Sequence, residues 1–381
     1  MNNLEITTDT KKQELATLIT NYLISIKAGK PSEIREEAPL IANHLMKRSL
    51  DQGTKEANFK FIDLFAGVGG VRLGFEAAGG ECVMTSEVDK KAQATYFCNF
   101  GEMHDENFED VTKINEKQIP NFDVLLGGFP CQAFSVAGER KGFEDTRGTL
   151  FFDIERILKA KRPKAFLLEN VKGLMNHDKG NTFRVILDTL EKKLKYKVFY
   201  KVLNTMEYGN IPQTRERIYI VGFDTKSLGK DIDFDFPEKI NLTNKISNIL
   251  ETKQKDESLY YERFDLHKQI DKAITKTDTI YQWRRVYVRE NKSKACPTLT
   301  ANMGTGGHNV PLIREKGTGR IRKLSPRECA SFQGFPKDFY IPNFMANSHL
   351  YKQFGNSVSV PVIHRIAEKI KITISMRKIL N

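Results

Sequence analysis

The sequence lacks the features that would place the chain in a membrane, in an oxidising compartment or around a metal ion. No run in its 381 residues approaches the roughly 20 consecutive apolar residues of a membrane span. The Met-Asn-Asn-Leu-Glu start has neither the basic nor the apolar region of a secretion signal, so a cytoplasmic location without a membrane partner is expected. The five cysteines, Cys82, Cys98, Cys131, Cys296 and Cys329, are odd in number, scattered and without a Cys-x-x-Cys pair. That argues against a disulfide framework and a zinc site alike, and no metal is expected. Internal repeats and low-complexity tracts are missing as well.

What is present is a globular composition with a basic bias. A hydrophobic content of 40% over this length can bury a sizeable core in two or three domains. Sixty Lys and Arg against 48 Asp and Glu leave a net charge of +12. Such a surplus points to a polyanionic partner, because cations that neutralise phosphates gain affinity by releasing counterions. Charge alone is weak evidence, since many basic proteins bind no nucleic acid.

Residues 1–57 read as a polar helical extension. It opens on a capping-box pattern, Thr10-Lys-Lys-Gln13, and carries Leu15, Leu18, Ile19, Leu23 and Ile26 at helical spacing. Gly29-Lys-Pro31 breaks it, a second helix is expected from about Ser32 to Leu50, and Asp51 to Lys55 looks like a linker. Packing on the next domain is the plainer role; a DNA-binding or regulatory module is the other, although no helix-turn-helix stands out.

From Phe59 short apolar strands alternate with amphipathic helices, the pattern of an open, mostly parallel α/β sheet. Strands are expected at 59–65, 81–87, 123–127, 165–169, 197–204 and 217–223. The rhythm fades after Lys239 into a lysine-rich, irregular segment ending near Lys323. Helical periodicity returns at Pro326 to Gln333 and from Val360 onward.

The first strand ends in Asp63-Leu-Phe65-Ala-Gly67-Val-Gly69-Gly70, a turn that brings backbone amides and a helix N-terminus to a ligand without Cβ obstruction. Arg72 stands where the third glycine of Gly-x-Gly-x-x-Gly would be, and no Gly-x-x-x-x-Gly-Lys-Ser/Thr loop follows, so neither NAD nor ATP is indicated. Glu87 closes the second strand, where a carboxylate reaches ribose hydroxyls, and Asp110-Val111 is placed to meet an adenine. Gly127-Gly-Phe-Pro130-Cys131-Gln132-Ala-Phe-Ser135 follows a strand. A thiol in such a Gly/Pro-braced loop has the setting of a nucleophile rather than of core filler. Glu169-Asn170-Val171 and Gln213-Thr-Arg215-Glu-Arg217 end at the same sheet edge. A carboxylate, a thiol and an arginine beside a nucleotide-like cofactor point to covalent chemistry on an electrophilic ring.

These residues resemble the C5 cytosine DNA methyltransferases of bacterial restriction-modification systems. The resemblance also rests on Arg322-Lys-Leu-Ser-Pro326-Arg327-Glu328-Cys329, Gln333-Gly-Phe-Pro336 and Gly355-Asn356-Ser357-Val358, and it runs in the family's order from about Phe59 to Val362. It implies a Rossmann-like, S-adenosylmethionine-dependent methyltransferase sheet with a smaller target-recognition domain and a helical N-terminal extension. On that division residues 1–57 are the extension, 58–240 and 350–381 the catalytic domain, and 241–349 the target-recognition domain and hinge.

The resemblance further implies that Cys131 adds to C6 of a flipped cytosine, Glu169 contacts N3, and Arg217, with Arg215 nearby, holds base and carboxylate. S-adenosylmethionine supplies the methyl group. Its expected contacts are Phe65, Gly67, Gly69, Glu87, Asp110, Val111, Pro130, Asn356 and Val358. Candidate DNA contacts are Ser135, Arg284, Arg285, Arg289, Thr298 and Asn302, with Ser135 to Gly148 as a lid. Trp283 is equally readable as core, and His308 as a local hydrogen-bonding partner. The expected partners are duplex DNA and a cognate restriction endonuclease, with the chain a monomer. A tRNA cytosine methyltransferase and a DNA-binding regulator using the N-terminal helices are the competing readings.

Overall fold

The computed structural model describes residues 8–52, 57–103, 105–130, 150–252, 256–304 and 309–380. Its centre is a six-stranded sheet built from β1 (Phe59–Leu64), β2 (Gly80–Ser86), β3 (Val124–Gly127), β4 (Ala165–Val171), β5 (Tyr196–Asn204) and, after the two-residue β6 (Gln213–Thr214), β7 (Glu216–Asp224). All six strands expected from the sequence are there. The spatial order is β2-β1-β3-β4-β7-β5. The neighbours β2, β1, β3 and β4 are parallel, whereas β7 runs antiparallel to both β4 and β5. The sheet is thus mostly parallel, as expected, with β7 alone reversed among its six strands. No crossover helix of usual length separates β5 from β7, and a short connection returns the chain antiparallel.

Residue alternation along β1 explains the layers. Phe59 and Phe61 pack with Phe75 of the helix α3 (Gly70–Ala77; α1 and α2 precede it) and with Ile363, Ile366 and Ile370 of the C-terminal helix Val360–Leu380. Ile62 and Leu64 face the other way, against Ile154, Ile157 and Leu158 of the helix Leu150–Lys161. Helices thus cover both faces. At Gly74 a Cβ would sit 2.5 Å from Ile363 Cγ2 and 2.8 Å from the His364 nitrogen, so only glycine lets α3 lie this close to the C-terminal helix.

The extension is a helical pair, α1 (Thr8–Ser25) and α2 (Pro31–Gln52). Because α1 already runs at Thr8, the Thr10 capping box lies inside the helix rather than at its start. Leu18 points outward, 44% exposed, while Ile19 and Leu23 are buried. These two, with Ile34, Ala38 and Ile41, share a core with Phe97 of α4 (Lys90–Phe100) and with Phe335 and Phe344. Polar contacts seal the seam. Glu37 accepts hydrogen bonds from Tyr340 Oη at 2.9 Å and from the Asn343 and Phe344 amides at 2.8 and 3.0 Å. Lys91 Nζ donates to the Lys27 and Ala28 carbonyls.

The segment read as irregular contains a second, antiparallel sheet. Its strands are β8 (Tyr281–Trp283), β9 (Val288–Glu290), β11 (Val310–Arg314) and β12 (Ile321–Lys323), in the order β12-β11-β8-β9; β10 (Cys296–Pro297) pairs instead with β6. Strands of three to five residues are too short to show alternation in sequence. Tyr281, Trp283, Val310, Leu312 and Ile321 form a separate small core, which settles Trp283 as a core residue. Behind this sheet Arg322, 1% exposed, forms a two-pronged pair with Glu328 at 2.8 Å per contact. Glu328 also completes the capping box with Ser325 at the start of the helix Pro326–Phe332.

Replacing Glu37→Ala orphans the Asn343 and Phe344 amides and the Tyr340 hydroxyl. At about 1–3 kcal/mol for each buried donor left unpaired, and with water re-entering part of the space, a loss of roughly 3 kcal/mol is expected in urea unfolding. A loss under about 1 kcal/mol would show that the seam does not depend on this carboxylate.

Candidate active site

Two groups of side chains meet at the carboxyl ends of β1 to β4. The first surrounds the turn after β1. Phe65, Gly67 and Gly69 all have positive φ, at 60°, 57° and 85°, which bends the chain sharply into α3. A Cβ at Gly67 would meet no atom within 4 Å, so the turn faces open space there. Its amide donates to Glu87 Oε2 at 2.8 Å, and the Asp89 amide to Glu87 Oε1 at 2.8 Å. Burial pushes the Glu87 carboxyl above its usual pKa, against the pull of those amides.

Asp110 and Val111 join this group because Ser86 Oγ, at the end of β2, donates to the Glu109 carbonyl at 3.0 Å. Val111 is buried and Asp110 caps the following turn, where the hydrogen bond from the Thr112 hydroxyl leads in holding its carboxyl below the usual range. The late segment joins too. A Cβ at Gly70 would lie 2.6 Å from Ser357 Oγ and 3.1 Å from Val358 Cγ2, while Asn356 beside them is exposed.

The second group lies at the ends of β3, β4 and β7. Val171 pairs with Arg217 across β4 and β7, and Arg217 Nε lies 2.9 Å from Glu169 Oε1. The approach is that of an ion pair without hydrogen-bond alignment, so Oε1, although buried, has no hydrogen-bonding donor among the described residues. Glu169 Oε2 is 3.7 Å from where a Cβ on Gly128 would be. Asn170 Nδ2 donates to the Phe129 carbonyl at 2.9 Å, tying the chain just before Pro130 to β4. Pro130 is exposed. Cys131 and Ser135, the lid segment to Gly148, and His308 lie outside the described residues.

Arg215 does not join the carboxylate. Its guanidinium donates to the Leu299 carbonyl at 2.9 Å, to that of Gly355 at 3.4 Å and to that of Ser357. Burial, and then the like charge of Arg217, pull its pKa down to about 9. A guanidinium spent on carbonyls positions segments instead of moving protons, while lying close enough to Arg217 and Glu169 to feel both charges. Sequence reasoning quoted but passed over three buried polar groups. Asn170 holds the Phe129 carbonyl, Gln213 donates to the Phe332 carbonyl at 2.6 Å and accepts from the Leu299 amide at 3.1 Å, and Asp63 interrupts an apolar strand. A charged or amide residue within an apolar run was the available signal for each.

On the second sheet, Arg284, Arg289 and Thr298 line one groove with Thr214, Gln282 and Asn309. Arg285, at φ 65° in the β8–β9 turn, and Asn302 are exposed and lie outside that lining.

The family model for C-5 cytosine-specific DNA methylases matches residues 59–372. The chain belongs to this family. It is 54% identical over 314 residues to the Type II methyltransferase M.Bsp6I of Bacillus sp. (strain RFL6), covering 82% of this chain and 98% of that one. It is 42% identical to M.HhaI of Haemophilus parahaemolyticus over 84% of this chain and 96% of that one. Among solved structures, the S. pombe Dnmt2 methyltransferase shares the fold at a TM-score of 0.64 and 18% identity, covering 84% of this chain and 99% of that one. A putative DNA modification methyltransferase encoded in an E. coli prophage does so at 0.59 and 23%, covering 83% and 99%. The protein is a DNA cytosine-5 methyltransferase, and its family implies S-adenosylmethionine as methyl donor and DNA as substrate. The tRNA and regulator readings are not favoured. No helix among the described residues is long and apolar enough to cross a membrane.

In this methylase Asp63 is wholly buried, and among the described residues neither carboxylate oxygen completes a hydrogen bond. Burial pushes its pKa up to about 7, with the charge of Arg72 opposing and that of Glu87 adding. A carboxyl raised this far holds its proton more tightly folded than unfolded. The stability it contributes is therefore full below the unfolded value of about 3.9 and declines as pH rises through about 7. Asp63→Asn should flatten that decline and add on the order of 4 kcal/mol above neutrality, read from urea unfolding across the same window. An identical decline in the variant would assign the dependence to other groups.

Proposed function

We propose that the methylase works through a covalent adduct between Cys131 and a cytosine turned out of duplex DNA. The observation that carries this is the Glu169–Arg217 pair, which lies against Gly128, three residues before the thiol. Addition of the Cys131 thiolate to C6 forms the Sγ–C6 bond and breaks the C5–C6 double bond. Glu169, whose Oε1 has no hydrogen-bonding donor among the described residues, holds a proton at N3, which draws electron density away from C6 and opens it to the thiolate. The resulting adduct is an enamine whose C5 is nucleophilic. Arg217 keeps that carboxylate oriented. Once C5 carries its methyl group, loss of the C5 proton to a base expels the Cys131 thiolate and restores the double bond. The cytosine must leave the stack for Cys131 to reach C6, at an unstacking cost of a few kcal/mol.

The residues at the β1 turn fit an adenosyl cofactor. Gly67 leaves room where a side chain would project, and each Glu87 oxygen, holding one amide hydrogen bond, has a lone pair left for a ribose hydroxyl. S-adenosylmethionine, when bound, supplies an electrophilic methyl group. We assign its contacts to Phe65, Gly67, Gly69, Glu87, Asp110, Val111, Pro130, Asn356 and Val358, with Arg215 as a positioning residue. DNA is met by Ser135, Arg284, Arg285, Arg289, Thr298 and Asn302. The same reading makes residues 1–57 an extension of the catalytic domain (58–240 and 350–381) and 241–349 the target-recognition domain. The shared core of α1, α2 and α4 supports an extension over a free DNA-binding module. The working setting is a cytoplasmic monomer that protects DNA from a cognate endonuclease.

Cys131→Ser should abolish transfer of labelled methyl groups to duplex DNA while leaving S-adenosylmethionine affinity within about twofold. Substantial residual turnover would remove the thiol from the mechanism. Glu169→Gln should lower kcat by about 10²–10⁴-fold, the usual contribution of a positioned acid-base group. A loss confined to KM would instead make it a binding residue.

A further inference from the structure

We propose that Arg284 and Arg289 form a reading site for guanine in the major groove; this rests on the DNA-methylating reading above. Strand alternation sorts the β8–β9 hairpin into two faces. Tyr281 and Trp283 point into the small core, and Gln282 and Arg284 line the opposite groove. Arg289 stands directly across from Gln282 in the antiparallel register, so the two guanidiniums flank one amide.

Charge and hydrogen bonding decide what this groove accepts. No carboxylate lines it, and among the described residues neither Arg284 nor Arg289 has an acidic partner. Glu290, the acid next to Arg289 in sequence, is held by Lys276 at 2.7 Å. Two unneutralised guanidiniums in one groove call for an acceptor-rich ligand. Arg284 Nη1 donates to Gln282 Oε1 at 3.2 Å, which holds the guanidinium beside the amide. A guanidinium fork offers donors alone, and two parallel N–H groups pair with two acceptors on one base edge. The guanidiniums of Arg284 and Arg289 therefore match O6 and N7 of guanine, both acceptors, better than the donor-bearing edges of adenine and cytosine.

The groove also adjoins the catalytic edge. Thr214 lines it, and Thr214 lies three residues before Arg217, a chain distance of at most about 10 Å. At ~3.4 Å per base step, the guanine lies within about three steps of the target cytosine.

The test is methylation of a randomised duplex library by the full chain, with bisulfite sequencing of the products. The wild type should select guanine at one or more positions within about three steps of the modified cytosine. Arg284→Ala should relax that selection by ~10-fold or more at one guanine, with other positions unchanged. Arg284→Lys should fail to restore it, since an ammonium lacks the planar fork. Uniform weakening across all sequences in Arg284→Ala, a salt slope reduced by about 1 and rescue by lysine would make Arg284 a phosphate contact and overturn the proposal. So would a wild-type motif without guanine, while leaving the methylation reading intact. If the wild type methylates no duplex at all, the reading beneath it falls as well.

Discussion

Gln213 and Arg215, both almost without exposure, join parts of the chain that lie 84 to 142 residues away. Gln213 binds the Phe332 carbonyl and the Leu299 amide, and Arg215 binds the Leu299, Gly355 and Ser357 carbonyls. A buried guanidinium without a carboxylate is costly unless its donors are satisfied, and here the carbonyls do so. The cofactor-side segment 355–358, the stretch at Leu299 just after β10 and the strand that carries Arg217 are thereby fixed relative to one another. Removing that junction would leave the register of the two groups to the pairing of β1, β3, β4 and β7 and to the packing of Ser357 and Val358 on Gly70.

Much of this arrangement is written in the chain at short range. Apolar runs bounded by glycine and charge mark the inner strands β1, β3, β4 and β7, because a strand covered on both faces has no reason to alternate. The β1 turn is legible for a related reason: glycines at positions requiring positive φ leave a pattern that few other constraints produce. Glu87 and Glu169 are visible as carboxylates that end apolar strands. Their neighbours in space are not, since Ser357 reaches Gly70 and Arg217 reaches Glu169 only through sheet topology and tertiary packing.

The sequence motifs also differ in kind once their contacts are seen. Arg322-Lys-Leu-Ser-Pro-Arg-Glu328 carries a buried ion pair and a helix cap, and Gln333 donates to the Phe354 carbonyl. These are fixtures of architecture. Breaking the Arg322–Glu328 pair by removing one partner would strand a buried charge, which usually costs more than the pair itself contributes. The lost rhythm after Lys239 was misleading because a sheet of three- to five-residue strands hides its period, and the antiparallel β7 was hidden because orientation leaves no mark on composition.

The seam around Glu37 has a consequence for the order in which the chain folds. Glu37 is separated by 303 to 307 residues from the partners it meets at Tyr340, Asn343 and Phe344. During synthesis α1 and α2 emerge first, but the surface they bury against is completed only when that distant stretch has been made. Contacts of such long sequence separation form late, because loop closure must precede them. Until then the apolar faces of Ile19, Leu23 and Ile34 have only the cover of each other and of α4, and the part supplied by Phe335 and Phe344 comes last.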